Sequence, residues 1–224
     1  MKIPASIWLV LCLLVSQTSQ ARDVGVQIQD QDGTPVEDAV VTLRPVNATA
    51  PSAAADMDAV AIMDQYGKVF VPRILVVRPG TRVQFPNRDQ IRHHVYSFSP
   101  PKPFELKLYS GAEIPSVTFD RPGVVSLGCN IHDWMQGHIY VTDAPLYALT
   151  TADGSAQFTD LSTGDFEMHI WHPRLRGPYM GETHTLQINA TTPERMDFTV
   201  ELRSVKSTQQ PPSADMDPAY GQRF

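Results

Sequence analysis

The sequence is poor in cysteine, with Cys12 and Cys129 as its two thiols. Cys12 lies inside an apolar N-terminal run, so Cys129 is the one cysteine that an exported form would keep. A single cysteine excludes an internal disulfide, and an unpaired thiol outside the cytosol is open to oxidation. Cys129 is therefore either a small buried hydrophobic residue or a metal ligand, and its neighbours must decide between the two.

Long hydrophobic runs are also missing. Lys2, the apolar run at positions 7–15 and the small residues Ser19 and Ala21 have the pattern of a secretory signal peptide over residues 1–21. No later run approaches the ~20 apolar residues that a membrane-spanning helix needs. The sequence therefore predicts a periplasmic or secreted chain that begins near Arg22, with no transmembrane segment in the mature part.

Excess positive charge is absent. The chain has 18 Lys and Arg against 24 Asp and Glu, and a formal net charge of −6. This balance excludes the basic footprint of a nucleic-acid binder, so we expect no nucleic acid among its partners.

Helix-like periodicity is lacking after the signal peptide, where short β-rich runs alternate with Pro, Gly, Asn and Asp. We expect an all-β chain of two sandwiches. Residues 59–143 supply one sandwich, and residues 22–45 plus 144–203 supply an outer one that is then discontinuous. Residues 46–58 are an Ala-rich linker, and residues 204–224 form a polar, disordered tail. In the alternative, residues 24–45 supply the opening strands of the middle domain.

The outer segments carry turn signatures, in "DQDGTPVEDAVVTL" near the start and "TTADGSAQFTDLSTGDFEMHI" near the end. These segments resemble the first and middle strands of a carboxypeptidase-regulatory-like or collagen-binding-protein B-type β-sandwich. The resemblance implies a second sandwich of that kind.

The stretch "GCNIHDWMQGHIYV" at residues 128–141 places Cys129, His132 and Met135 on one tight loop between two strands. A thiolate and an imidazole three residues apart can bind one ion, and a thioether three residues further can approach it axially. Two His and one Cys with a weak axial Met are the ligands of an electron-transfer copper site. The second imidazole comes from "NRDQIRHHVYSF" at residues 87–98, where alternation along a strand lets either His93 or His94 point inward.

With these motifs the sequence resembles the cupredoxins, particularly amicyanin and plastocyanin. Asn87, His93 and the run from Cys129 to Met135 follow the family pattern, and "VFVPRILVVRPGTRVQFPNRD" resembles its upstream strands. The match covers about residues 59–143 and implies a Greek-key sandwich with one type 1 copper ion. By register, the ligands it implies are His93, Cys129, His132 and Met135. His94 departs from the Asn common in relatives. The whole chain also resembles exported proteins of the methylamine-utilisation type.

The resemblance implies a protein that carries single electrons between redox partner proteins and is not an enzyme. A patch of Pro100, Pro101, Trp134 and Met135 would serve docking around His132. The alternatives are a copper-binding or delivery module of the cell envelope without redox cycling, and an adhesion or assembly protein whose outer sandwich does the work. A zinc site is disfavoured because a thioether is a poor zinc ligand.

Four further histidines are weaker candidates for function. His138 lies near the predicted site, at its rim or simply at a strand start. An accessory metal site among His169, His172 and His184 is the less favoured interpretation of those residues, against a plain half-exposed strand.

Overall fold

The computed structural model describes residues 21–47, 59–111 and 113–204. The regular elements in these ranges are β-strands, which confirms the all-β prediction. In chain order they are β1 (Arg22–Asp30), β2 (Val40–Pro45), β3 (Val60–Ile62), β4 (Asp64–Tyr66), β5 (Val69–Val71), β6 (Ile74–Val77), β7 (Thr81–Gln84), β8 (His93–Ser97), β9 (Phe104–Tyr109), β10 (Ser116–Phe119), β11 (Gly123–Cys129), β12 (His132–Val141), β13 (Leu146–Leu149), β14 (Ser155–Leu161), β15 (Gly164–Trp171), β16 (Glu182–Ile188) and β17 (Arg195–Val200).

Three predicted segments fall wholly or mostly outside the described residues. They are the signal peptide up to residue 20, the linker at residues 48–58 and the tail at residues 205–224. Within the described ranges, no helix combines the length and the apolar composition needed to cross a membrane.

The first two strands pair with strands that follow residue 145. β1 pairs with β14 and, in parallel, with β17, while β2 pairs with β13 and β15. The result is a three-stranded sheet, β14-β1-β17, and a four-stranded sheet, β13-β2-β15-β16. Side chains of both sheets share one core, which includes Val26, Leu43, Phe158 and Phe166. From these pairings we propose that residues 22–45 and 144–203 form one discontinuous outer sandwich. Its family assignment stays a prediction.

The strands between residues 60 and 141 pair among themselves. The larger sheet has the order β6-β12-β11-β8-β9, the smaller has the order β10-β7-β3, and β4 pairs with β5. Phe85, Phe119 and Ile139 are fully buried in a core that both sheets supply. Each such side chain contributes roughly 1.5–3 kcal/mol of burial free energy. This core holds the ends of β8, β11 and β12 in fixed positions.

Strand β12 has two different faces because successive side chains of a strand point to opposite sides. Met135 and Ile139 pack into the middle core. His138 and Tyr140 point the other way, and their rings lie 5.4 and 5.5 Å from that of Trp171 in β15. Val40, Ile74, Val124, Tyr140 and Trp171 form a buried cluster at this junction of the two strand sets. One strand therefore connects the predicted metal ligands to the outer strands.

Candidate metal centre

Strand pairing brings the candidate ligands together from distant parts of the chain. β11 pairs with β8, so that Cys129 lies opposite Val95. Cys129 also pairs with His132 across the two-residue turn between β11 and β12. The turn is tied to β8 because the amide of Asn130 donates to the carbonyl oxygen of His94 at 3.1 Å. The start of β8 thus lies beside the β11–β12 turn.

Three donor atoms converge at this point. The Cys129 Sγ atom lies 3.6 Å from His93 Nδ1 and 3.8 Å from His132 Nδ1. All three donor atoms lie within 4.8 Å of one another. His93 is fully buried, Cys129 is 4 % exposed and His132 is half-buried. Among the residues that the structure describes, no other group of at least three His, Cys, Asp or Glu side chains has this arrangement.

The separations fit a single metal ion. Metal bonds of about 2.0 Å to nitrogen and about 2.3 Å to sulfur, at a trigonal angle of about 120°, place each nitrogen about 3.7 Å from the sulfur. The two observed separations, 3.6 and 3.8 Å, lie on either side of this value. The donor set of two imidazoles and one thiol suits copper.

Met135 lies in the same buried core as Cys129 and is itself fully buried. Both residues line a cavity of about 490 Å³ that also touches Tyr96 and Phe98. Met135 and Cys129 thus share one core and one cavity, and the thioether lies away from the surface. The predicted docking patch is therefore wrong in including Met135, because a side chain with no exposed surface cannot contact a partner.

His93 and His94 point to opposite sides of β8. His93 belongs to the cluster of donor atoms. His94 Nε2 instead lies 2.9 Å from Glu105 Oε1, and its ring is nearly perpendicular to that of Tyr96. The structure thus brings His93 to the sulfur and turns the imidazole of His94 away.

The second nitrogen of His93 has a partner that the sequence analysis missed. His93 Nε2 lies 2.7 Å from Asp89 Oδ2. The side chains of His93 and Asp89 are 0 % and 11 % exposed, so this contact is shielded from water. The only signal in the sequence was that Asp89 lies four positions before His93. Spacing within a loop does not show whether a carboxylate contacts an imidazole.

Hydrogen bonds shift the pKa values of His93 and Cys129 in opposite directions. Burial alone would lower the pKa of His93, but hydrogen bonds to Asp89 and Cys129 outweigh it and raise that pKa to about 9. Burial would raise the pKa of Cys129, but hydrogen bonds from His93 and from the amides of Ile131 and His94 lower it. The pKa of His132 is lowered by burial and by the charge on His93. A thiolate and a neutral imidazole are the forms that bind metal ions.

Trp134 packs beside the cluster. Its ring centroid is 5.2 Å from that of His132, and its indole nitrogen is buried without a hydrogen-bond partner. Trp134 thus covers one side of the His132 ring.

The remaining histidines lie apart from the cluster. His138 lies between Ser126, whose hydroxyl is 3.2 Å from its Nδ1 atom, and Trp171. Within the described residues, His169, His172 and His184 form no metal-binding group. The accessory metal site, which the sequence made the less favoured interpretation, is therefore not found.

No protein-family model matches the chain, and no curated protein does. Solved structures do show similarity. A purple cupredoxin from Nitrosopumilus maritimus is 23 % identical with a TM-score of 0.33, over 38 % of this chain and 100 % of that one. A reduced amicyanin variant is 24 % identical with a TM-score of 0.34, over 45 % and 99 %. A copper-containing nitrite reductase from Thermus scotoductus SA-01 is 28 % identical with a TM-score of 0.37, over 46 % and 26 %.

These TM-scores are low and each match covers under half of the chain, so conclusions about function must come from the site itself. The solved structures to which the chain is similar are cupredoxins, as the sequence motifs predict.

Proposed function

We propose that the chain is an exported protein that binds one copper ion in a type 1 site and carries single electrons between redox partner proteins. The observation that carries this proposal is the convergence of His93 Nδ1, Cys129 Sγ and His132 Nδ1 within 4.8 Å in a buried sandwich end. Export rests on the signal peptide expected in residues 1–21.

His93, Cys129 and His132 would hold the ion, with Met135 as a weak axial ligand. A bound copper ion in such a set supplies a one-electron couple whose potential depends on the axial ligand and on the surroundings of the sulfur. The chain contributes rigidity, because His93 and Cys129 belong to paired strands and Met135 is fixed in the core. Little has to move when the charge of the site changes, which favours rapid transfer.

The buried position of the sulfur donors favours a carrier over a delivery module. Cys129 is 4 % exposed and Met135 is fully buried, which disfavours the direct attack on a metal–sulfur bond that transfer to an acceptor protein needs. His132 is half-buried, and the neighbouring Ile131 is 48 % exposed on the same turn. Electrons would enter and leave through this edge of the site, and no bound substrate is needed.

Addition of Cu²⁺ to the metal-free protein tests the proposal. We expect an intense blue thiolate-to-copper absorption that saturates at one equivalent, because the Cys129 thiolate binds the ion directly. Replacement of Cys129→Ser removes the sulfur and must abolish this band. Tight Cu⁺ binding without the band would support the delivery module, and no binding at all would support a structural protein.

A matched pair of variants tests the choice between neighbouring histidines. His93→Gln should lose the absorption band, because it removes an imidazole of the cluster. His94→Gln should keep the band, because the His94 imidazole contacts Glu105 instead. The opposite pattern would show that His94 is the ligand and that the ligand assignment is wrong.

A further inference from the structure

The carboxylate of Asp89 accepts hydrogen bonds from three N–H groups beside the metal centre. Asp89 Oδ1 accepts from the amide of Gly67 at 2.7 Å, and Oδ2 accepts from the amide of Lys68 at 2.9 Å. Oδ2 also lies 2.7 Å from His93 Nε2. An ionised carboxylate carries two acceptor oxygens and no donor, so it can satisfy all three partners at once.

The two amides fix the carboxylate in place. Gly67 and Lys68 form the turn between β4 and β5, with φ values of 64° and 59°. Such a turn points its successive amides to one side, where Asp89 receives them. The amide of Asp89 in turn donates to Asn87 Oδ1 at 3.0 Å. Two backbone amides therefore hold the carboxylate and Asn87 holds its backbone, which keeps the carboxylate facing His93.

The contact decides which nitrogen of His93 faces the sulfur. When the ring gives up one proton to bind a metal ion and Nε2 keeps the proton that it donates to Asp89, the lone pair lies on Nδ1, which is the atom 3.6 Å from Cys129 Sγ. We propose that Asp89 is a positioning residue of the metal centre, which holds His93 as the Nε2–H tautomer with Nδ1 directed at the metal. This inference rests on the proposed function only in taking His93 as a ligand.

The same carboxylate also brings a negative charge to the site. Asp89 is 11 % exposed, so solvent screens it weakly. A negative charge at this position stabilises the more positive, oxidised ion over the reduced one. We therefore expect Asp89 to lower the reduction potential of the bound copper, since partners of ligating histidines tune the metal as well as orient the ring.

Asp89→Asn is the direct test. An amide has one oxygen, so its NH₂ group must face either the amide of Gly67, or both the amide of Lys68 and His93 Nε2, and the carboxylate's charge is lost in either orientation. We expect the affinity for Cu⁺ to fall by about 10–100-fold, the range found when the partner of a metal-binding histidine is removed. We also expect the reduction potential to rise and the blue absorption band to shift.

Asp64→Asn is the matched control. Asp64 is a largely buried carboxylate of the same strand set that pairs with Arg88 and accepts from the amide of Gln65, with no contact to a candidate ligand. It should keep the wild-type Cu⁺ affinity and the wild-type absorption band. Equal losses in Asp64→Asn and Asp89→Asn would show that a general loss of charge or stability is responsible, and would overturn the proposal.

A measurement on the wild-type chain covers the case in which Asp89→Asn does not fold. In the diamagnetic Cu⁺ form, nitrogen NMR should show His93 protonated at Nε2, with a slowly exchanging downfield proton. An unprotonated Nε2 would overturn the proposal. If the protein binds no copper, the proposed function fails separately, and the same slowly exchanging Nε2 proton is then sought in the metal-free chain. Its absence there would overturn the role of Asp89.

Discussion

His172 is a buried neutral imidazole in the outer strand set, and its protonation should destabilise the fold at mildly acidic pH. Burial and the nearby guanidinium groups of Arg174 and Arg73 lower the pKa of His172 from 6.5 to about 3. The residue is 8 % exposed, and its Nδ1 atom accepts from the amide of Arg174 at 3.3 Å. The folded state therefore keeps this ring neutral in conditions where an unfolded chain protonates it.

The sign and the size of the effect follow from proton binding. Below about pH 6.5 the unfolded chain binds a proton at His172 that the folded chain does not, so stability falls as pH falls. Each pH unit costs about 1.4 kcal/mol until the folded pKa is reached, so the contribution of His172 to the free energy of unfolding should drop by roughly 2 kcal/mol between pH 7.5 and pH 5. The contribution is present in full above pH 6.5.

Urea unfolding of the metal-free wild type and of a His172 variant at the two pH values, with a reductant to protect Cys129, isolates this contribution. His172→Asn keeps an acceptor for the amide of Arg174 but cannot be protonated, so its loss between the two pH values should be smaller than that of the wild type by roughly 2 kcal/mol. At pH 7.5 the ring is neutral in both states, so the difference in the free energy of unfolding between wild type and His172→Asn reports the change in packing alone. Equal pH dependence in the two proteins would refute the claim that His172 is held neutral by burial.

Further outcomes follow from Met135 and Gly154. Met135→Leu conserves core volume, so the free energy of unfolding of the metal-free protein should change by less than about 1.5 kcal/mol. The reduction potential and the blue band should nevertheless change if the thioether is an axial ligand, and an unchanged spectrum and potential would leave Met135 as core filler. Gly154 has φ +78°, and an added Cβ would lie 2.4 Å from the carbonyl oxygen of Ile28. Gly154→Ala should therefore lower the free energy of unfolding by about 2 kcal/mol or more, seen as a lower Tm, because a left-handed residue alone costs about 1–2 kcal/mol. A wild-type Tm would contradict this reasoning.

Most of the candidate metal centre could be predicted from the spacing of residues along the sequence. Cys129, His132 and Met135 lie within seven residues, so one turn between two strands was enough to place them on the same edge. The all-β class was also accessible, because alternating β-rich runs separated by turn residues leave no amphipathic helix.

The remaining features depend on contacts between distant segments. Alternation along β8 allowed His93 or His94 to face inward, and the pairing of β8 with β11 decides which ring meets the sulfur. The partners of β1 lie beyond residue 145, so local sequence could not assign that strand to a sheet. The hydrogen bond from His93 to Asp89 depends on a turn more than 20 residues earlier in the chain, as the contacts of Asp89 to Gly67 and Lys68 show. Periodicity carries no information on such long-range geometry.

The central claim is that the chain carries one electron on a copper ion that it keeps. Potentiometric titration of the copper-loaded protein, with copper content measured before and after repeated cycles, tests it most directly. We expect reversible bleaching and return of the blue band, one electron per chain, and unchanged copper content, because His93, Cys129 and Met135 are fixed in the core of the sandwich. Loss of copper on reduction, or a band that does not return, would contradict the account.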